Sequence, residues 1–178
     1  MNKTGKESMV AEEPIEMDIR QVLHRDHMKV DELFFQFAKS EDDSEKKSLV
    51  EQIILELTLH AKAEEEVVYP EIRDGEKEVE SMMDEADTEH HVVKFLLAEL
   101  GGMKPSDDHY DSKVTVLCEL VKHHVEEEEK ELFEKLKDLD NLAEMAEKFL
   151  ERKSSLAAKP LPEDSFPVIG TRHERKSA

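Results

Sequence analysis

The chain has 178 residues, no tryptophan, five glycines, 39% charged residues and a net charge of −20. That length supports one domain with a substantial core, and the composition is that of a helical protein. The acidic balance excludes a nucleic-acid surface built on Lys and Arg patches and docking to an anionic membrane, and no apolar run is long enough to span a bilayer.

Residues 1–14 read as a flexible N-terminus. The first predicted helix covers roughly 15–39, with Ile19, Leu23, Val30, Leu33, Phe34 and Phe37 at helical spacing. Pro14 precedes it, where proline is tolerated. Residues 40–44 (SEDDS) supply capping side chains for a second helix over roughly 44–69, through Val50, Ile53, Leu57, Val67 and Val68. Pro70 ends or kinks it, and Asp74-Gly75 marks a turn. The third helix covers roughly 76–100, through Val79, Met83, Ala86, Val93 and Leu97, and Gly101-Gly102 stops it. Pro105, Ser106 and Asp107 open a fourth over roughly 107–138, through Val114, Leu117, Val121, Leu132 and Leu136.

Short connections make consecutive helices antiparallel neighbours. The prediction is an all-α fold, an up-down-up-down four-helix bundle over 15–138. A short extra helix is predicted at about 140–153, within a segment 139–154 that covers an end or flank of the bundle. Residues 155–178 carry Pro160, Pro162 and Pro167 and read as a disordered or loosely docked tail. Cys118 is the one cysteine, so no internal disulfide forms and a reducing compartment fits. Residues 1–13 contain no apolar stretch of the kind a secretory leader needs, and the expectation is a cytoplasmic protein.

One pattern occurs twice. His27 is followed after 33 residues by His60, with Glu64 four residues on; His90 is followed after 34 by His124, with Glu128 four residues on. Val30, Leu33 and Phe34 keep the same distances from His27 as Val93, Leu96 and Leu97 keep from His90. Tyr69 and Phe133 lie nine residues after His60 and His124. A fixed offset across half a chain marks an internal duplication.

All six polar side chains fall on the apolar stripes of their helices, and helix rise puts them at about one level, within roughly one turn. The i, i+4 spacing sets each histidine and its glutamate on one face. A single buried histidine is ordinarily a hydrogen-bonded core residue. Six inward polar groups in duplicate are better explained by cations, because an unpaired buried carboxylate costs several kcal/mol or more. Mixed imidazole and carboxylate donors suit Fe, Mn or Zn, and six ligands exceed one tetrahedral zinc site. With both glutamates bridging two octahedral ions, and an oxide or hydroxide bridging as well, one position per ion stays open for O₂, peroxide or NO.

The segments DHMKVDELF (26–34), HAKAEEEVVYP (60–70), EHHVVKFLLAEL (89–100) and HHVEEEEKELF (123–133) resemble the hemerythrin-like family, the HHE cation-binding domain. The resemblance covers about residues 15–138. It implies two iron ions in a non-haem centre, with an oxo or hydroxo bridge, held by His27, His60, Glu64, His90, His124 and Glu128. The chain departs from oxygen-carrying members, whose fifth histidine falls at Lys94 and whose aspartate falls at Glu129. It resembles instead the bacterial cytosolic branch, which implies binding or sensing of O₂, NO, peroxide or iron.

A di-iron enzyme that detoxifies peroxide or NO, and a bundle merely stapled by metal, are the alternative readings. His24 reads as surface or as a support for the ligands. His91 and His123 flank true candidates, off the core face. His109 and His173 read as solvated. Glu65, Glu66, Glu126, Glu127 and Glu129 read as a solvated face, some of them in reach of ligand histidines. Tyr69 reads as a packed helix-end residue and Cys118, on the edge of the core stripe, as a small buried thiol.

Overall fold

The computed structural model describes residues 17–73, 77–137 and 139–158. The expected flexible N-terminus, the Asp74-Gly75 turn, His173 and nearly all of the expected tail lie outside the described residues.

Five long helices carry the fold: α1 (Ile19–Lys39), α2 (Asp43–Ala63), α3 (Lys77–Gly101), α4 (Tyr110–Glu127) and α5 (Leu142–Ala157). Two of them continue past a widened turn. A π-helical segment, Glu64–Val68, and a last α-turn, Tyr69–Ile72, extend α2; Glu128–Leu132 and Phe133–Leu136 extend α4 in the same way. α1 packs on α2, α2 on α3, α3 on α4, and α4 back on α1, which closes the four-helix bundle. α5 lies against α1 and α2.

Local chemistry sets the helix ends. Asp18 opens α1 with a capping box, accepting from the Arg20 and Gln21 backbone N–H groups while the Gln21 side chain accepts from its own. The helix therefore begins at Ile19, later than the expected 15. Asp42, in the predicted capping loop, accepts from the Glu45 N–H at 2.8 Å. Gly101 is the last residue of α3, as its sequence implies. α4 starts at Tyr110 and not near 107, because His109 adopts a left-handed backbone, φ 69°, that breaks the helical path. α5 runs to Ala157, about four residues past the expected end of the extra helix.

The core comes in two apolar parts. One gathers Val30, Phe34, Ile53, Val93, Leu97 and Leu117. The other gathers Leu23, Val68, Met83, Leu132, Leu136 and Phe149. In each of the four bundle helices, α1 to α4, the break between the two parts falls at a histidine: His27 between Leu23 and Val30, His60 between Leu57 and Ala63, His90 between Met83 and Val93, His124 between Val121 and Leu132. A polar layer thus crosses the bundle with apolar packing on either side.

Candidate metal centre

The six residues singled out by the duplicated pattern are all buried and meet in that layer. His27, His60, Glu64 and Glu128 bring ligand atoms within 4.8 Å of one another, and so do Glu64, His90 and His124. Glu64 therefore belongs to both groups. Its Oε2 lies 3.2 Å from His60 Nε2 in its own half and 3.7 Å from His90 Nε2 in the other. Glu128 does the converse, with Oε2 3.2 Å from His27 Nε2 and 3.6 Å from His124 Nε2. Each carboxylate stands between the two halves, the placement a bridging ligand needs.

Both π-helical segments begin at these glutamates. The Tyr69 N–H bonds back to the Glu64 carbonyl and the Phe133 N–H to the Glu128 carbonyl, each five residues away. Pro70 is not the cause, because Glu134 occupies its place in the second half and the turn is widened there too. Single π-turns inside α-helices cluster at functional sites. Here the widened turn lets consecutive glutamates serve one centre, Glu64 facing His60 and Glu65 reaching His90.

Each of the four histidines of the layer presents Nε2 to the interior and Nδ1 to a carboxylate. His27 Nδ1 lies 2.8 Å from Glu129 Oε1, His90 Nδ1 2.9 Å from Glu65 Oε1, His124 Nδ1 2.8 Å from Glu89 Oε2, and His60 Nδ1 3.4 Å from Asp26 Oδ2. A carboxylate on Nδ1 holds a proton there, so the nitrogen left for a metal is Nε2, directly in a neutral ring and after loss of its proton in a charged one.

Those carboxylates are themselves held. Lys94 bonds to Glu65, Lys153 of α5 to Asp26, and His24 Nδ1 lies 2.8 Å from Glu129 Oε1. Lys94, where oxygen carriers have a fifth histidine, is thus tied to Glu65. Glu65 and Glu129, expected on a solvated face, are half-buried supports. Asp26 and Glu89 were not among the expected site residues at all. Their signal is the repeat itself: an acid precedes His27 and His90 alike, just as an acid follows Glu64 and Glu128.

Electrostatics agree with a cation in the layer. Burial pushes the Glu128 carboxyl up, and the neighbouring Glu64 charge pushes it further. Burial acts the same way on Glu64, but His60 outweighs it and holds Glu64 at about 2. Burial opposes a charge on His60, yet Glu64, then Asp26, lift it to about 10. Burial drives His90 down to about 4 against its bond to Glu65.

Among the described residues, no group makes a well-formed hydrogen bond to His27 Nε2, His60 Nε2 or any of the four carboxylate oxygens of Glu64 and Glu128. Buried polar atoms are almost always satisfied, and these six converge on one another. Bound metal would satisfy these atoms, so the residues fit a metal site.

Two spaces adjoin the layer. A chamber of about 30 Å³, lined by the four histidines with Val30, Leu57, Val93 and Val125, has room for about one water-sized molecule. On the Met83 and Leu132 side, an open cleft of about 320 Å³ reaches His124 and Glu128. Tyr69 lines that cleft, with its ring stacked on His90 at 5.7 Å and its hydroxyl 3.5 Å from His90 Nε2. Burial and then the Glu64 charge push the Tyr69 phenol well above its usual range, so it keeps its proton.

The other named residues stay outside. His91 is exposed, His109 is exposed at the start of α4, Glu66 pairs with Arg152, and Cys118 is half-buried beside the apolar core. No described helix is long and apolar enough to cross a membrane.

Comparisons with known proteins agree with this geometry. The Hemerythrin HHE cation binding domain family matches residues 18–136. A protein described as a DNA nickase from Nostoc sp. (strain PCC 7120) is 36% identical over 120 residues. The match takes in 66% of this chain and 33% of that protein, so the chain spans about a third of its relative's length. The crystal structure of a hemerythrin HHE cation-binding domain-containing protein from Mycobacterium kansasii superposes with a TM-score of 0.68 at 21% identity, covering 80% of this chain and 88% of that one.

Proposed function

This chain belongs to the hemerythrin HHE cation-binding domain family, and from that premise we propose that it is a cytoplasmic non-haem di-iron protein that binds O₂, NO or peroxide to sense or handle it. The observation that carries the reading is the set of six converging buried atoms on His27, His60, Glu64 and Glu128 that find no hydrogen-bond partner among the described residues, closed by His90 and His124. Imidazole and carboxylate donors in that ratio suit iron. The pair of carboxylates between two histidine sets exceeds what one tetrahedral zinc takes.

Two redox-active irons at this layer would supply electrons and an open position for a small ligand. The chain's own residues do the rest. Asp26, Glu65, Glu89 and Glu129 orient the four rings. The valine-lined chamber excludes anything larger than a small molecule. Tyr69, protonated and facing the cleft, donates a hydrogen bond toward a ligand held beside His90.

Anaerobic loading with Fe(II) followed by NO titration tests the reading. The expected result is saturable binding, at one NO or fewer per iron, with no continued consumption. Sustained turnover of NO or peroxide would instead support the detoxifying enzyme, and absence of any spectral response to NO would overturn both. Cleavage of DNA is not proposed, because a net charge of −20 has the wrong sign for phosphate contacts.

A further inference from the structure

We propose that Glu89, His123 and Glu127 form an outer divalent-cation site, by which Fe(II) reaches the buried centre. One imidazole and two carboxylates bring their ligand atoms within 4.8 Å of one another. His123 Nε2 lies 3.5 Å from Glu127 Oε1 and 3.8 Å from Glu89 Oε1. The His123 side chain is 60% exposed, so the site opens to solvent.

What lies behind the cluster gives it a purpose. Glu89 and Glu127 line the cleft of about 320 Å³ that also reaches His124 and Glu128. Glu128 is buried there, and among the described residues neither of its oxygens has a hydrogen-bond partner. A cation at the mouth therefore faces a stronger anionic ligand deeper in the same cleft. Glu89 connects the two stations, with Oε1 toward His123 and Oε2 accepting from His124 Nδ1 at 2.8 Å. Glu78, Glu85 and Glu131, also on the cleft wall, add negative charge that concentrates cations.

The matching flank of the duplicated centre, at His60, is covered by α5. Asp26, which supports His60 as Glu89 supports His124, carries the Lys153 ammonium. The Phe149 ring packs edge-on against His60 at 5.9 Å. A fixed cation and an apolar ring from α5 stand where the other half has an exposed histidine and an acidic cleft. The flanks of His60 and His124 thus differ, one covered by α5 and one open on an acidic cleft.

The destination of this route rests on the di-iron reading above, but the outer site is read by itself. Mn(II) titration of the full, metal-free chain, followed by electron paramagnetic resonance, should show a weak equivalent beyond the buried pair, with a Kd on the order of 10⁻⁴ M. The double variant His123→Ala, Glu127→Gln should lose it, while Glu78→Gln, which removes a cleft charge outside the cluster, keeps it. Stopped-flow uptake of Fe(II) should be about tenfold slower in the double variant, with the same final iron content. A weak equivalent that survives the double substitution, or uptake at the wild-type rate, overturns the proposal. Failure of the wild-type chain to fill the buried pair overturns the di-iron reading instead, and loss of the weak Mn(II) equivalent in the double variant still establishes the outer site.

Discussion

His27 Nδ1 lies 2.8 Å from Oε1 of Glu129, the residue that directly follows Glu128 in the chain. One widened turn at the end of α4 thus provides both a carboxylate for the buried layer and the anchor that orients a histidine on α1. The same device recurs where Glu64 enters the layer and Glu65 anchors His90.

Loss of that anchor should weaken the metal without unfolding the bundle. Glu129→Ala leaves His27 Nδ1 without its acceptor, and supports of this kind are worth about 10–100-fold in metal affinity. Competition against a chelator of known affinity measures the loss. An unchanged affinity would mean that His27 is not a ligand.

Glu128 is a burden to the metal-free fold. Burial, and then the neighbouring Glu64 charge, push its carboxyl up. Glu128→Gln should stabilise the metal-free protein by about 1–3 kcal/mol and weaken metal binding in the same molecule. Thermal or denaturant unfolding of both forms checks the opposite signs. Destabilisation of the metal-free form would show that Glu128 serves the fold rather than a cation.

Most of the candidate site was legible because its residues obey the helix period. His27, His60, Glu64, His90, His124 and Glu128 replace apolar residues on stripes that otherwise read cleanly, and the duplication gives each a counterpart. Asp26 and Glu89 were not legible by that route, since they sit one residue off the stripe, among many surface acids. The π-turns were invisible because no propensity marks them; a helix of ordinary period already places Glu64 and Glu128 inward. Glu65 and Glu129 were hidden inside acidic runs that read as solvent-facing. The helix starts at Ile19 and Tyr110 depended on a capping side chain at Asp18 and on one left-handed residue, His109, neither of which periodicity reports.

Acid should oppose loading. Burial disfavours a charged His60, but Glu64 and Asp26 lift it to about 10, so it carries a proton at pH 7 in the metal-free chain. A cation must displace that proton. Affinity should therefore rise with pH, by about tenfold per unit for one displaced proton, up to about pH 10. Glu64, held at about 2, stays ionised throughout that window. Calorimetric titration in two buffers of different ionisation heat counts the protons released. A pH-independent affinity between 6 and 8 would contradict this.

α5 belongs to the centre as well as to the fold. Phe149 is fully buried and packs on His60, so Phe149→Ala should cost about 3–5 kcal/mol of stability. Thermal unfolding checks it; a loss under about 1 kcal/mol would mean that α5 only rests on the bundle.

The central claim is that two irons occupy the layer held by His27, His60, Glu64, His90, His124 and Glu128. Metal analysis with an optical spectrum, on protein purified without chelator or reconstituted anaerobically with Fe(II), tests it most directly. The account predicts about two irons per chain and near-ultraviolet oxo-to-iron bands after exposure to air, both lost in His60→Ala. Zinc alone, or no metal after reconstitution, would contradict it.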